Sequence, residues 1–220
     1  MTNKVEKYPA PWNLKGKGYI IVYALDKDFV EKEGNVPEFL KGKFVGGFGA
    51  LMLVDYEESN AGPYGEMLFI PGKFKFKNKR LDTISKIYVS TMESVVNGRN
   101  NWGIPKERAD FKFTKIDENR ENVCISLEGE NIAEFVLKSS KLSFPVSTSL
   151  MPFPLVQEYE DKYYYTNFYG KGKGQLTRIE NMKINPKLFP DLSKVKPLIA
   201  MRVNPFDITF PESIIENKQK

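Results

Sequence analysis

Apolar and polar residues alternate along short stretches of this chain, a period-2 pattern that predicts β-strands. The clearest case is 73–77, where lysines alternate with phenylalanines, which predicts a strand with phenylalanines in the core and lysines in solvent. Other predicted strands cover 18–25, 44–56, 66–71, 83–91, 109–116, 123–127, 132–137, 163–169, 175–179, 198–203 and 206–210. Because few long helical spacers separate them, the pattern favours an antiparallel sheet or barrel over βαβ units.

Two short helices interrupt this pattern. The polar segment 26–34 predicts one helix that stops at Gly34, and 92–97 predicts one or two helical turns before Gly98. No internal repeat or convincing linker divides the chain. We therefore expect a single domain over 1–220, with flexible ends at 1–8 and 214–220.

The amino-acid composition limits which classes of binding partner are expected. Of 220 residues, 41% are hydrophobic, enough for a sizeable core. The 33 basic residues are mixed with 28 acidic ones, so the net charge of +5 is not concentrated in an arm or face, and no nucleic-acid partner is expected. No signal-peptide pattern opens the chain, and no run reaches the ~18 apolar residues of a membrane span. The sequence predicts a cytoplasmic protein without a membrane partner.

Two shortages exclude whole classes of chemistry. The chain has no histidine, which removes Ser-His-Asp and Cys-His catalysis and histidine-ligated metal sites. Its single cysteine, Cys124, lies in an apolar run and is interpreted as a buried small hydrophobe. Lysine remains as a residue that can act as a covalent nucleophile without a histidine base, once its pKa is lowered.

One stretch points to a specific lysine. Residues 98–107 read GRNNWGIPKE, and weaker motifs occur at 21–23, 53–56, 62–66 and 172–176. With these motifs the chain resembles the acetoacetate decarboxylase-like family over most of its length. The resemblance implies a mostly β fold, an antiparallel closed or cone-like β-barrel with a few short helices. It also implies a homo-oligomer.

In that family the lysine after the proline forms an imine with a ketone, and here it is Lys106. A protonated imine is itself an electron sink, so no metal or organic cofactor is expected. The amine must first be neutral, and burial beside apolar residues such as Trp102 and Ile104 lowers the pKa of a lysine from ~10.4. Pro105 stiffens the backbone that presents it. The alternative is an ordinary surface lysine.

The resemblance to the family implies further candidate site residues besides Lys106. Glu66 matches a pocket glutamate that would orient substrate or shuttle a proton, the alternative being an exposed glutamate. Tyr64, Trp102 and Arg99 are the substrate-binding candidates. Tyr64 and Trp102 could equally be core, and Arg99 is expected to support the loop rather than react. Two Gly-Lys loops, 15–18 and 171–174, are interpreted as solvated turns rather than anion sites.

The chain also departs from the family. Glu107 stands where the decarboxylase has a second lysine, Gly16 stands near its pocket arginine, and a pocket glutamate is lost near 49–50. Lys15 and Lys17 flank Gly16, but a lysine cannot reproduce a bidentate arginine grip on a carboxylate. Acetoacetate is therefore not the expected substrate. Three hypotheses stand: decarboxylation of a small keto acid, aldol condensation with dehydration, or non-catalytic binding of a small ligand.

Overall fold

The computed structural model describes residues 5–150 and 152–218, and within them the protein is mostly β. The strands are β1 (Trp12–Ala24), β2 (Phe48–Glu58), β3 (Tyr64–Ile70), β4 (Lys73–Phe76), β5 (Lys79–Asp82), β6 (Lys86–Val89), β7 (Glu107–Arg108), β8 (Asp110–Lys115), β9 (Arg120–Leu127), β10 (Glu130–Ser139), β11 (Phe144–Ser147), β12 (Leu155–Tyr159), β13 (Lys162–Thr166), β14 (Tyr169–Ile184), β15 (Ile199–Phe210) and β16 (Ile214–Asn217). The helices are α1 (Lys27–Glu33) and α2 (Met92–Trp102), with 3₁₀ turns at Glu38–Leu40 and Leu192–Lys194.

The strands form a large and a small sheet. The large sheet has the order β7-β6-β3-β2-β1-β15-β14-β10-β9-β8, with β11 paired to β14. The small sheet has the order β16-β13-β12-β5-β4. Most pairs are antiparallel, the parallel ones being β6 with β7 and β12 with β5. The prediction of an antiparallel, mostly β fold is confirmed.

The expected closed or cone-like barrel is not confirmed. In the described part of the chain no hydrogen-bonded ladder joins the two edge strands, β7 and β8. These edges are nevertheless consecutive in sequence, separated only by Ala109, whose N–H donates to the carbonyl of Val89. The sheet also turns along β14, whose first half pairs with β15 and whose second half pairs with β10.

Two apolar cores occupy opposite faces of the large sheet. Strand β3 is buried along its whole length, because alternate residues enter different cores. Met67 and Phe69 belong to one core, and Tyr64 and Leu68 belong to the other. Glu66 lies on the same face as Tyr64 and Leu68, so a carboxylate is placed inside the second core.

Helix α1 agrees with the prediction from sequence. The Asp26 carboxylate accepts a hydrogen bond from the N–H of Phe29, and the N–H of Gly34 donates to the carbonyl of Val30. Helix α2 is longer than predicted, since it passes through Gly98 and ends before Gly103, which has φ 64°. No helix within residues 5–150 or 152–218 is long and apolar enough to cross a membrane.

Several strands differ from the predictions at their ends. Phe74 and Phe76 are buried and Lys75 is exposed, as the alternation of 73–77 predicts. Strand β5 was not predicted from its charged sequence, and β15 is one continuous strand where two were predicted. The predicted flexible ends, 1–8 and 214–220, lie partly outside the described residues, and 214–217 contributes β16, which pairs with β13.

The buried carboxyl group of Asp82 should make the stability of the protein depend on pH. Its side chain is fully buried, one oxygen accepts from Lys73 Nζ at 2.7 Å, and Oδ1 has no hydrogen-bond partner among the described residues. Burial raises the pKa of Asp82 from 3.8 to about 6, against the opposing effect of Lys73. The folded protein therefore holds this proton more tightly than the unfolded chain. The resulting stability is complete below pH 4 and is lost as the pH rises through 6.

We predict that Asp82→Asn, which cannot titrate, gains stability relative to the wild type between pH 4 and pH 7. At ~1.4 kcal/mol per pKa unit, the relative gain in unfolding free energy is at most about 3 kcal/mol. Urea unfolding of both proteins across this range measures it. A difference between the two proteins that does not change with pH would contradict the prediction.

Candidate functional site

Lys106 is presented by a tight turn that follows helix α2. The helix ends at Gly103, whose N–H donates to the carbonyl of Arg99 at 2.8 Å. Arg99 in turn donates from Nε and Nη2 to the carbonyl oxygen of Lys106, at 3.0 and 2.5 Å. Arg99 therefore fixes the backbone of Lys106, as expected of a residue that supports the loop.

Gly98 makes room for the Lys106 side chain. A Cβ atom at position 98 would lie 2.6 Å from Cδ and 2.8 Å from Cε of Lys106. A glycine inside a helix costs about 1 kcal/mol relative to alanine. Its position in α2 is explained by the passage of the lysine side chain over it.

The Lys106 amine is buried among polar atoms. The residue is 4% exposed, and its Nζ lies 3.0 Å from Glu66 Oε2 and 3.0 Å from Ser94 Oγ. Tyr64 is also close, with its hydroxyl at 3.5 Å and its ring centroid at 5.0 Å from Nζ. A carboxylate, a hydroxyl and an aromatic face thus surround one amine.

Two tyrosines complete the site. The Tyr56 hydroxyl donates to Glu66 Oε1 at 3.0 Å, so both oxygens of Glu66 have partners. Burial, reinforced by the negative charge of Glu66, raises the pKa of both Tyr56 and Tyr64 well above its usual value, while a hydrogen bond with Ser94 acts in the opposite direction on Tyr64. Both phenols therefore stay protonated at neutral pH and can donate hydrogen bonds.

A small cavity adjoins the amine. Its volume of about 20 Å³ is close to that of a single water site. Apart from Lys106 and Glu66, the residues of its walls are apolar or aromatic. The full lining comprises Trp12, Leu14, Tyr56, Tyr64, Glu66, Leu68, Ile84, Ile87, Trp102, Ile104, Lys106 and Phe210. Lys106 is the only cation among these wall residues.

The predicted site residues fall into two groups. Lys106, Glu66 and Tyr64 come together at the cavity, and Trp102 forms part of its wall while its indole N–H donates to the carbonyl of Pro211. Arg99 contacts the backbone of Lys106 instead of the cavity.

Sequence reasoning missed Ser94 and Tyr56. Ser94 precedes Gly98 by four residues and so shares its helix face, a signal that was hidden because the helix was predicted to end before Gly98. Tyr56 lies directly across from Tyr64 on the neighbouring strand, and no local pattern indicates this pairing.

The departures from the decarboxylase pattern have structural causes. A Cβ atom at Gly16 would lie 2.1 Å from the carbonyl oxygen of Asp55, so this backbone excludes an arginine there. Lys15 pairs with Glu58, and Lys17 with Asp55 and Glu121. Neither lysine reaches the cavity wall. Glu107 is exposed and pairs with Lys86 at 2.6 Å.

The arrangement can move a proton between a buried amine and a buried carboxylate. Glu66 can take the proton that an ammonium must lose before Lys106 can attack a carbonyl carbon. In the described part of the chain no three acidic or cysteine side chains are grouped to hold a metal ion.

A double-mutant cycle tests how strongly Lys106 and Glu66 interact. Removing one partner of a buried ion pair leaves an uncompensated charge, so Glu66→Gln should cost about 3 kcal/mol of unfolding free energy at pH 7. Lys106→Met should cost a similar amount, and the double variant should regain most of the loss. Urea unfolding of the four proteins gives the coupling energy, and additive losses would show that the pair is not coupled.

The fold is similar to those of several solved enzymes. The acetoacetate decarboxylase of Legionella pneumophila matches with a TM-score of 0.71 and 15% identity, over 94% of this chain and 88% of that one. The enduracididine biosynthesis enzyme MppR, in complex with the condensation product of pyruvate and imidazole 4-carboxaldehyde, matches with a TM-score of 0.67 and 14% identity, over 100% and 94%. An acetoacetate decarboxylase-like enzyme from Sphingomonas wittichii matches with a TM-score of 0.66 and 10% identity, over 96% and 95%.

The family follows from the sequence match. No curated protein sequence matches this chain significantly. The family model described as acetoacetate decarboxylase matches residues 2–156, well over half of the chain, and this range includes Lys106, Glu66 and the 98–107 motif. The chain therefore belongs to the acetoacetate decarboxylase family.

Proposed function

We propose that this protein is a lyase that forms a Schiff base between Lys106 and a small keto acid and releases the carboxylate as CO₂. The observation that carries the proposal is the buried Lys106 amine, 3.0 Å from a carboxylate and bordering an otherwise apolar cavity. Family membership and the folds of enzymes in that family support it.

The reaction begins with proton transfer. Glu66 accepts a proton from Lys106, and the neutral amine attacks the keto carbon to give a carbinolamine. Glu66 returns the proton to the hydroxyl oxygen, water leaves, and a protonated imine remains. Ser94 and Tyr64 hold the nitrogen through hydrogen bonds during these steps.

The imine then accepts the electrons of the bond that breaks. In a β-keto acid, the C–C bond to the carboxylate breaks, CO₂ leaves and the electron pair forms an enamine with the neutral nitrogen. Proton return to carbon and hydrolysis release the ketone and restore Lys106. Apolar cavity walls favour this step, because the carboxylate charge disperses as CO₂ departs.

Aldol condensation with dehydration is the second candidate. It requires a base near the imine to remove an α-proton, and Glu66 is a carboxylate 3.0 Å from the nitrogen that would carry the imine. The described residues that line the cavity include no arginine to grip a carboxylate, which also favours it over acetoacetate decarboxylation. CO₂ release from a keto acid distinguishes the first candidate, and a condensed product from a ketone and an aldehyde distinguishes the second.

The partner under either candidate is a small keto acid or ketone. We include in the proposal the homo-oligomer that the resemblance implies, whose size sedimentation measures directly. A non-catalytic ligand binder is the remaining alternative, and it would be inert toward carbonyl compounds.

Imine trapping tests the proposal. The protein is incubated with pyruvate, acetoacetate and longer analogues, reduced with borohydride and digested for peptide mass spectrometry. We expect a substrate-dependent adduct on Lys106, absent in Lys106→Ala and retained in Lys86→Ala, a nearby lysine outside the cavity. Glu66→Gln should slow adduct formation on the order of 100-fold, since it removes the proton acceptor. No adduct on Lys106 with any of these compounds would rule out the proposal.

Gly98→Ala tests the presentation of Lys106. The new Cβ collides with the Lys106 side chain and moves the amine away from Glu66, which should cost up to about 3 kcal/mol of unfolding free energy, offset by about 1 kcal/mol because alanine is the better helix residue. The displaced amine should nevertheless lose most of its adduct formation. Asn100→Ala, an exposed change in the same helix, is the matched control. Wild-type trapping by Gly98→Ala would contradict the predicted role of this glycine.

A further inference from the structure

A second, much larger cavity lies beside the Lys106 cavity. Its volume is about 350 Å³, compared with about 20 Å³ at the amine. The two share four wall residues, Tyr56, Leu68, Ile84 and Phe210. They are therefore neighbouring spaces that have these four side chains as a common wall.

Phe210 is the most exposed part of this wall. The other residues around the small cavity are buried, while Phe210 is only partly buried. Its ring stacks on Phe168 at 4.8 Å, and Phe168 stacks on Phe153 at 6.4 Å, both of which line the larger cavity. Phe210 also packs against Trp102 of the small cavity at 5.5 Å, so its ring contacts the linings of both cavities.

The larger cavity is suited to a hydrocarbon. Its walls include Met52, Ile70, Val146, Met201 and Val203, and Lys171 is the one charged residue among its described lining residues. Lys171 is exposed, so it lies at the mouth and not in the interior. The space is partly open, since Phe144 and Leu150 of its lining are exposed. Its volume exceeds the ~150 Å³ at which an apolar cavity binds benzene, so it has room for a ring or a chain of several carbons.

We propose that the substrate of Lys106 carries an alkyl chain or aryl ring that fills this larger cavity, with its keto group passing Phe210 to reach the amine. The inference rests on the proposed Schiff-base function and names its substrate class: keto acids or ketones with an apolar substituent larger than methyl. Pyruvate and acetoacetate leave the larger cavity unfilled and are poor members of this class.

A chain-length series of methyl ketones tests the inference. Wild-type protein is trapped with borohydride in 2-butanone, 2-pentanone, 2-hexanone and 2-octanone, and the half-saturating concentration for the Lys106 adduct is measured. The same ketones are titrated calorimetrically into Lys106→Ala, which cannot form the imine. We expect the half-saturating concentration and the calorimetric dissociation constant each to fall about fourfold for each added methylene. This factor corresponds to the free-energy gain of burying one CH₂ group, about 0.8 kcal/mol.

Two substitutions in one segment distinguish ketone binding in the larger cavity from nonspecific hydrophobic binding to the protein. Val146→Asp places a carboxylate in the cavity wall and should reduce at least tenfold the ratio of the half-saturating concentration of 2-butanone to that of 2-octanone. If this variant fails to fold, Met201→Asp replaces it. Leu142→Asp is the matched control, since Leu142 is 84% exposed and lies outside the lining, and it should keep the wild-type ratio.

The outcomes separate this inference from the proposed function. Chain-length dependence in Lys106→Ala without any wild-type adduct would overturn the Schiff-base function and leave the apolar ligand site standing. Adducts that form equally with all four ketones, with no trend in Lys106→Ala, would overturn the inference and leave the function standing. A change of oligomeric state in Val146→Asp with an unchanged ratio would assign this face to a second copy of the chain and would also overturn it.

Discussion

The contact between Lys106 and Glu66 is the constraint on which the arrangement of this site depends. Two ionisable groups only about 5% exposed are costly to bury unless each has a partner with good geometry. Glu66 has one oxygen on the amine and one on Tyr56, and Lys106 adds Ser94 to its contact with Glu66. Because every group in this network depends on another, strand β3, helix α2 and the turn after it must hold fixed relative positions.

The motif around Lys106 supplies that fixed geometry. Gly103 ends the helix in a left-handed conformation, Arg99 binds the carbonyl of Lys106, and Gly98 leaves the space that the lysine side chain crosses. Each of these three residues acts on the backbone or on free space, and none of them contributes a reactive group. This explains why the motif is specific for presenting a lysine while it says little about the substrate.

Sequence predicted the features that depend on local pattern. The strand of alternating lysine and phenylalanine, the end of α1 at Gly34 and the candidacy of Lys106 and Glu66 for one site were all accessible from the printed residues, the last through family resemblance. The extension of α2 was not, because a glycine in a helix looks like an end unless the side chain that needs its space is known. Ser94 was missed because the helix was expected to end before Gly98, and Tyr56 was missed because its partner lies on another strand. Closure of the barrel was also expected, but β7 and β8 approach through the chain at Ala109 without pairing.

Gly16, which stands near the position of the decarboxylase's pocket arginine, relates the fold to the choice of substrate. At Gly16 strand β1 approaches β2 so closely that any side chain would collide with the carbonyl of Asp55, so a cation cannot reach the cavity from this position. Among the described residues that line the small cavity Lys106 is the only cation, so a carboxylate there has no bidentate arginine partner. The large apolar compartment behind Phe210 offers a different source of binding energy, because burying hydrocarbon requires no matching charge. The same backbone that excludes an anion grip thus argues for a substrate recognised through its apolar part, with Lys106 and Glu66 left to act on its carbonyl group.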